Sequence, residues 1–436
     1  MIIIFRKGVG TRSVPTPSSP IQLDFSVKII RSRGAHFMVK KVGLLQSTDR
    51  LAMDLILFFE SHFKQSLTNT QVQTLKMLVW LLTVQKTVKI ERLAACSPLP
   101  IKYQSRRRHI QRFLRLFSLS LPIFWFPIIQ AIINQEFSLG SQLILTLDRT
   151  QWKSHNIFVI AVIYKKRALP IYWQVLQKKG STNFLEQKAL IKPVLRLLKK
   201  YQLVIIGDRE FHGVQLSHWL KTRAKTQKIN FIFRQKQDTN YRKPGQKYQP
   251  LSNLAVAPGT KIFLSNINIT NKKGFGSFNL VAYWKRKYRK KMEKEPWYLL
   301  TNLESLDEVL KIYRSRMGIE AMFKDCKTGG YNLEGSQANP QRLTNLILLI
   351  AIAYTSSCYR GKIFKQTGYQ NYICRLQEAE RKERRHSNFW VGMYGELWLL
   401  AWDYLVDIVQ AIMNFNPQKK LNYQRGLKVI SKLQIV

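Results

Sequence analysis

Near residue 140 the hydrophobic period of this 436-residue chain changes from about 3.6 residues to about 2. The segment beyond that change restricts the fold more than any other feature. The runs "SQLILTLDRT", "NIFVIAVIYKK" and "LPIYWQVL" read as three strands, the last two a hairpin joined by "KKRA". A helical pattern, "STNFLEQKALIKPVLRLLKKY", comes next, with Ser181 or Thr182 as its N-cap. The buried strand "LVIIGDREF", the helix "GVQLSHWLKTRA" and the strand "NFIFR" complete the block. Three strands followed by alternating helix and strand predict an α/β fold, a mixed sheet covered by helices.

Around this block the chain divides by pattern. Residues 1–45 include "VGTRSVPTPSSP", rich in turn formers, and read as a tail upstream of the true start. Residues 46–138 read as helices and form a candidate DNA-binding domain. Its helix "YQSRRRHIQRFLRLF" offers Arg106, Arg107 and Arg108 to a phosphate backbone. A basic helix packed on a core, with its charges in water, fits the same pattern. Residues 139–235 are the first part of the sheet domain. Over 236–300, Gly, Pro and Asn punctuate short β-prone pieces such as "KIFLSNINI" and "FNLVAYWKRKY", which predict a mostly antiparallel insertion. Helix returns over 301–360, and 361–436 reads as a C-terminal helical segment with a basic tail.

Charge narrows the function. The chain carries 71 Lys and Arg against 25 Asp and Glu, a formal +46, and such an excess calls for a polyanionic partner. Nucleic acid fits best, because basic membrane binders concentrate their charge in one helix or tail. Here basic clusters recur along the whole chain. Lys285, Arg286, Lys287, Arg289 and Lys290 form one ridge, in the insertion. The apolar run at 113 to 133 contains Arg115 and two prolines, and "LTNLILLIAIAY" at 343 to 354 is short. Both read as core helices rather than membrane spans. "MIIIF" is too short for the apolar region of a signal peptide. Cys96, Cys326, Cys358 and Cys374 show no C-x-x-C spacing, so reduced thiols and a cytoplasmic location are expected.

The chemistry rests on acids that stand out against this charge. Asp148 and Asp208 each end a hydrophobic strand, and ligands of α/β sheets gather beyond strand carboxyl ends. Two aspartates brought together there repel unless cations lie between them. A third acid would complete an oxygen cage for two Mg²⁺ or Mn²⁺ ions about 3.5–4 Å apart, suited to phosphoryl transfer. Glu320 is the candidate. On one continuous helix Tyr313, Arg316, Glu320 and Lys327 fall at about 0°, 300°, 340° and 320°, a wedge about 60° wide. A solvated face with an Arg316–Glu320 pair is the alternative. Arg209 and Glu210, beside Asp208, could help hold DNA, position the acid or form a structural ion pair. Trp152 reads as core, and His212 and His218 as ordinary residues.

"YRSRMGIEAMFKDCK" resembles the Y-x2-R-x3-E-x6-K signature of DDE transposases of bacterial insertion sequences, the insertion-sequence-four group. "LDRT" and "GDREF" resemble that group's two aspartate motifs. The resemblance implies a ribonuclease-H-like core over roughly 140 to 350, with a β-rich insertion before the catalytic glutamate. It implies Mg²⁺-dependent cutting at inverted-repeat ends by Asp148, Asp208 and Glu320, then joining of the 3′-hydroxyls to target DNA. It further implies a homodimer on double-stranded DNA in a bacterial nucleoid, without membrane. Tyr313, Arg316 and Lys327 would grip phosphates, and Trp297 would support a flipped base in a hairpin route. Two alternatives are a nuclease that cuts without joining and an inactive DNA-binding protein derived from a mobile element.

Overall fold

The computed structural model describes residues 55–224, 227–270, 275–286, 295–375, 379 and 385–434, all within one unit, Ser47–Val436. The tail expected over 1–45 lies outside the described residues, as do Lys287, Arg289 and Lys290.

Six α-helices precede the sheet among the described residues: α1 (Leu55–Phe58), α2 (Glu60–Ser66), α3 (Asn69–Gln85), α4 (Ile90–Ala95), α5 (Tyr103–Phe113) and α6 (Phe126–Glu136). Thr68 starts α3 with a reciprocal cap: its hydroxyl accepts from the Gln71 N–H, and the Gln71 side chain accepts from the Thr68 N–H. At the end of α6, the Glu136 carboxylate accepts from the hydroxyls of Tyr164 and Tyr359, both at 2.8 Å. A charge with its side chain only 6% exposed persists there because donors surround it.

The sheet holds β1 (Gln142–Trp152), β2 (His155–Tyr164), β3 (Arg167–Leu176), β4 (Gln202–Gly207) and β5 (Ile229–Arg234). It continues with β6 (Asn240–Arg242), β7 (Gln249–Pro250), β8 (Lys261–Ile269), β9 (Ser277–Tyr283) and β10 (Trp297–Thr301). These form one 10-stranded sheet in the order β3-β2-β1-β4-β5-β10-β9-β8-β6-β7. β1, β2 and β3 are antiparallel, while β4 runs parallel to β1 and β5 parallel to β4. That is the expected ribonuclease-H-like arrangement. The β2–β3 hairpin turns on Lys165 and Lys166, both at positive φ (44° and 67°), as a two-residue turn matched to strand twist demands. The strands of the insertion extend the same sheet, because β10 pairs antiparallel with β5.

The remaining helices are α7 (Phe184–Leu197), α8 (Val214–Arg223), α9 (Leu306–Arg314), α10 (Met317–Cys326), α11 (Pro340–Gln366), α12 (Asn388–Asn414) and α13 (Lys420–Gln434). Strand alternation separates two faces. Val204, Ile206, Ile232 and Leu299 pack with Val309, Leu310, Ile312 and Tyr313 of α9. Leu203, Ile205, Phe231 and Phe233 point the other way, into the main core shared by α7 and α8.

Four expectations change. Asp148 does not end its strand, since β1 runs on against β2 to Trp152; only the parallel ladder with β4 stops there. The N-cap of α7 is Asn183, not Ser181 or Thr182, because the Thr182 N–H and hydroxyl both donate to Glu210. Residues 313 to 327 are not one helix: the α-ladder breaks at Ser315–Arg316, where i→i−3 bonds take over. The apolar run at 343 to 354 belongs to a 27-residue helix, α11, long and apolar enough to cross a membrane, yet 78% of that window is buried inside the protein.

Candidate active site

Register places the two aspartates. Leu147 and Gly207 are the last partners of the parallel β1–β4 ladder, so Asp148 and Asp208 follow side by side on strands about 4.8 Å apart. Alternation from Ile144 and Thr146, and from Val204 and Ile206, puts both on the α9 face. Each has one oxygen held by backbone. Asp148 Oδ1 accepts from the Arg149 N–H at 2.7 Å, and Asp208 Oδ1 from the Glu210 N–H at 2.9 Å. The second bond caps the 3₁₀ turn Arg209–Phe211. Gly207 is required beside it, because a Cβ there would lie 2.6 Å from the Phe211 ring.

Glu320 arrives on the first turn of α10. The helix can approach because Gly318 has no side chain; a Cβ would stand 2.9 Å from the Arg167 carbonyl oxygen at the β2–β3 turn. Arg316, the N-cap of α10, sits among the acids. Its Nη1 lies 3.5 Å from Asp148 Oδ2, and its Nη2 is paired with Glu320 Oε1. The Arg316–Glu320 pair of the alternative reading therefore exists, and it lies inside the acidic cluster, not on a solvated face. Burial pushes the Asp148 carboxyl up to about 7, with the charges of Asp208 and Glu320 adding to the rise and Arg316 opposing it. Burial likewise lifts the Tyr313 phenol to about 12, though Arg316 and Arg234 beside it pull it down.

The site residues fall into groups. Asp148, Asp208, Glu320, Arg316 and Tyr313 come together. Tyr313 belongs to α9, and the edge of its ring meets Trp297, with centroids 5.1 Å apart. Lys327 caps the far end of α10 and pairs with Glu334 at 2.6 Å. Arg209 pairs with Glu295, which Arg234 also holds at 3.1 Å. In the α5 set, Arg106 donates to the Ser97 carbonyl at 2.9 Å and Arg107 pairs with Glu91 at 3.1 Å. Arg108 is exposed, as are Lys285 and Arg286, the latter lying against Gly259. Trp152 is buried, as expected.

Behind the aspartates runs a strap that sequence reasoning saw only in part: Glu210 was a candidate to position the acid or to form an ion pair, but its partner Arg149 was not singled out. Arg149, next to Asp148, binds Glu210 at 2.6 Å and Asn156 at 3.0 Å. Glu210, two residues past Asp208, accepts from Thr182 at 3.0 Å through both its N–H and its hydroxyl. The only signal was adjacency: an Arg after one Asp and a Glu shortly after the other.

Among the described residues no three His, Cys, Asp or Glu side chains are grouped closely enough to hold a metal ion as placed. The guanidinium of Arg316 occupies the space between Asp148 and Glu320. The donors nonetheless suit a hard divalent cation, since all three are carboxylates, and burial, with the charges of Asp208 and Glu320 adding to it, raises the Asp148 carboxyl.

Residues 144–356 match the Transposase DDE domain. The DDE-domain match runs from β1 into α11, just under half of the chain, and takes in all three acids. No curated protein matches the chain. Among solved structures, the cryo-EM structure of a piggyBac transposase synaptic complex with hairpin DNA is similar at 14% identity and a TM-score of 0.36. The similarity covers 66% of this chain and 59% of that one.

Proposed function

We propose that the chain is a DNA transposase that cuts a mobile element at its inverted-repeat ends and joins the 3′-hydroxyls to target DNA. One observation carries the reading: within the DDE-domain match, Asp148 and Asp208 stand side by side just past the end of the parallel β1–β4 ladder, and Arg316 bridges Asp148 to Glu320. Asp148, Asp208 and Glu320 would hold two Mg²⁺ or Mn²⁺ ions. When bound, such a pair supplies an activated water or 3′-hydroxyl and stabilises the leaving oxygen. The chain's own residues do the rest. Asp148 would serve as a ligand in its carboxylate form, its proton passing to solvent. Arg316, released from the carboxylates, turns to a DNA phosphate, with Tyr313 and Arg234 walling the same side. Lys327 exchanges Glu334 for a phosphate further along the strand, and Trp297 stands behind Tyr313 to support an extruded base. A homodimer in the bacterial nucleoid, cutting two ends at once, completes the proposal.

The test is excision of a marked element from a donor plasmid, with and without Mg²⁺. Asp148→Ala, Asp208→Ala and Glu320→Ala should each abolish cutting while DNA binding persists. Cutting by any one of them removes that acid from the site, and cutting without joining in the wild type would point to a nuclease instead.

A further inference from the structure

Between α7 and α8 lies a cavity of about 540 Å³, lined by Lys192, Arg196, Lys199, Arg223 and Trp219, with Ile229 at its inner end and no acid among the lining residues. Lys192 and Arg196 stand one turn apart on the exposed side of α7, and the exposed Lys199 follows just past its C-cap, Leu198. The like charges of Lys192 and Arg196 at i,i+4 disfavour the helix, so the pair lowers stability unless a polyanion neutralises it. The Trp219 ring is half-buried and has Lys188 at 5.9 Å and Arg223 at 5.8 Å over it. An indole within a cationic groove is the arrangement that receives phosphates and stacks a sugar or base.

The groove is remote from the carboxylates. Ile229 pairs with Leu203, five positions before Asp208, which is on the order of 16 Å at about 3.3 Å per residue. It also opens on the other face: Ile229 shares its parity with Phe231 and Phe233, whereas the aspartates share theirs with Val204 and Ile206. A straight duplex held at the acids cannot also lie here.

We infer that the α7–α8 groove is a second DNA site, which binds the phosphate backbone of a segment other than the one at the carboxylates. The inference rests on the reading of this chain as a DNA-handling protein. It fits a reaction in which the cut end and its recipient, or two distant parts of one bent duplex, are held at once.

Two measurements on the full-length protein test it. The first is binding of a duplex of about 40 base pairs across salt concentrations by fluorescence anisotropy. The combined variant Lys192→Gln, Arg196→Gln, Lys199→Gln should bind at least about tenfold more weakly, with a log–log salt slope shallower by about 2 to 3. A control on α13, Lys420→Gln, Arg425→Gln, Lys428→Gln, should lose less. An unchanged groove variant, or a control that loses as much, overturns the site. The second measurement is protection of Lys192 and Lys199 from amine acetylation, made in Asp148→Ala so that no cleavage intervenes. The duplex should protect both lysines. If dATP at micromolar concentration protects them and the duplex does not, the groove holds a free nucleotide and the inference fails. Protection in Asp148→Ala alongside a wild type that never cuts would sink the catalytic reading alone, whereas cutting without protection would sink this one.

Discussion

Burial, with Asp208 and Glu320 adding like charge, sets the Asp148 carboxyl at about 7 against an ordinary 3.8. An acid whose folded value is raised favours the folded state while protonated. Its contribution is therefore intact below about 4 and is lost as pH climbs to about 7. At roughly 1.4 kcal/mol per unit, the full span is about 4 kcal/mol. Asp148→Asn keeps the neutral shape, so without divalent cations its melting temperature should exceed that of the wild type at pH 8. The gap should narrow towards pH 4, and Mg²⁺ should raise only the wild type. A gap that does not change with pH between 4 and 8 would contradict the burial argument. The same acids show what sequence could reveal at this scale. Asp148, Asp208 and Glu320 were legible because acids are scarce in this chain and because hydrophobic runs precede both aspartates. Glu210 was legible only as a candidate to position the acid or form an ion pair, and Arg149 not at all, because nothing in their immediate neighbours says that they meet across 61 positions of chain.

Elements carry the acids, and their close approaches decide the precision. Glu210 binds β1 through Arg149 and the start of α7 through Thr182, with side chains only 22% and 12% exposed in the Arg149–Glu210 pair. Glu210→Gln leaves the Arg149 charge without its counter-charge. A stability loss of about 3 kcal/mol is expected in thermal melts, with slower cutting as the aspartates lose their support. An unchanged melt would make the strap ornamental. Gly318→Ala offers a test of opposite sign. At an open helix position the change would stabilise by about 1 kcal/mol. Here the new methyl meets the backbone oxygen of Arg167 at 2.9 Å, so α10 must move. A loss of about 1–3 kcal/mol is expected, and even a shift of about 1 Å in Glu320 can cost 10²-fold in cutting rate. The helical wheel over 313 to 327 grouped Tyr313 and Arg316 with Glu320, and these three do come together, but by another geometry, while Lys327 pairs with Glu334 instead. It assumed a continuous α-helix, and the i→i−3 step at Ser315–Arg316 rotates α9 out of register with α10.

For the whole molecule, the formal +46 implies DNA binding driven by counterion release. The logarithm of affinity should fall with that of salt at about 0.9 per phosphate contacted. A slope of at least about 6 in magnitude is expected for a duplex, and a flat response would contradict a polyanion partner. By itself the sequence determined the kind of sheet, the succession of its first five strands and their helices along the chain, and the basic excess of the whole. Each of those comes from local periodicity or composition, which neighbouring residues express without help from the rest of the chain. Only the tertiary structure decided that the insertion strands extend that sheet through β10, that Arg316 sits between the acids, and that two basic helices enclose a groove on the far face. Those outcomes depend on hydrogen-bond partners and van der Waals contacts between residues far apart in the chain, and no short stretch of sequence encodes which distant backbone will come to lie beside it.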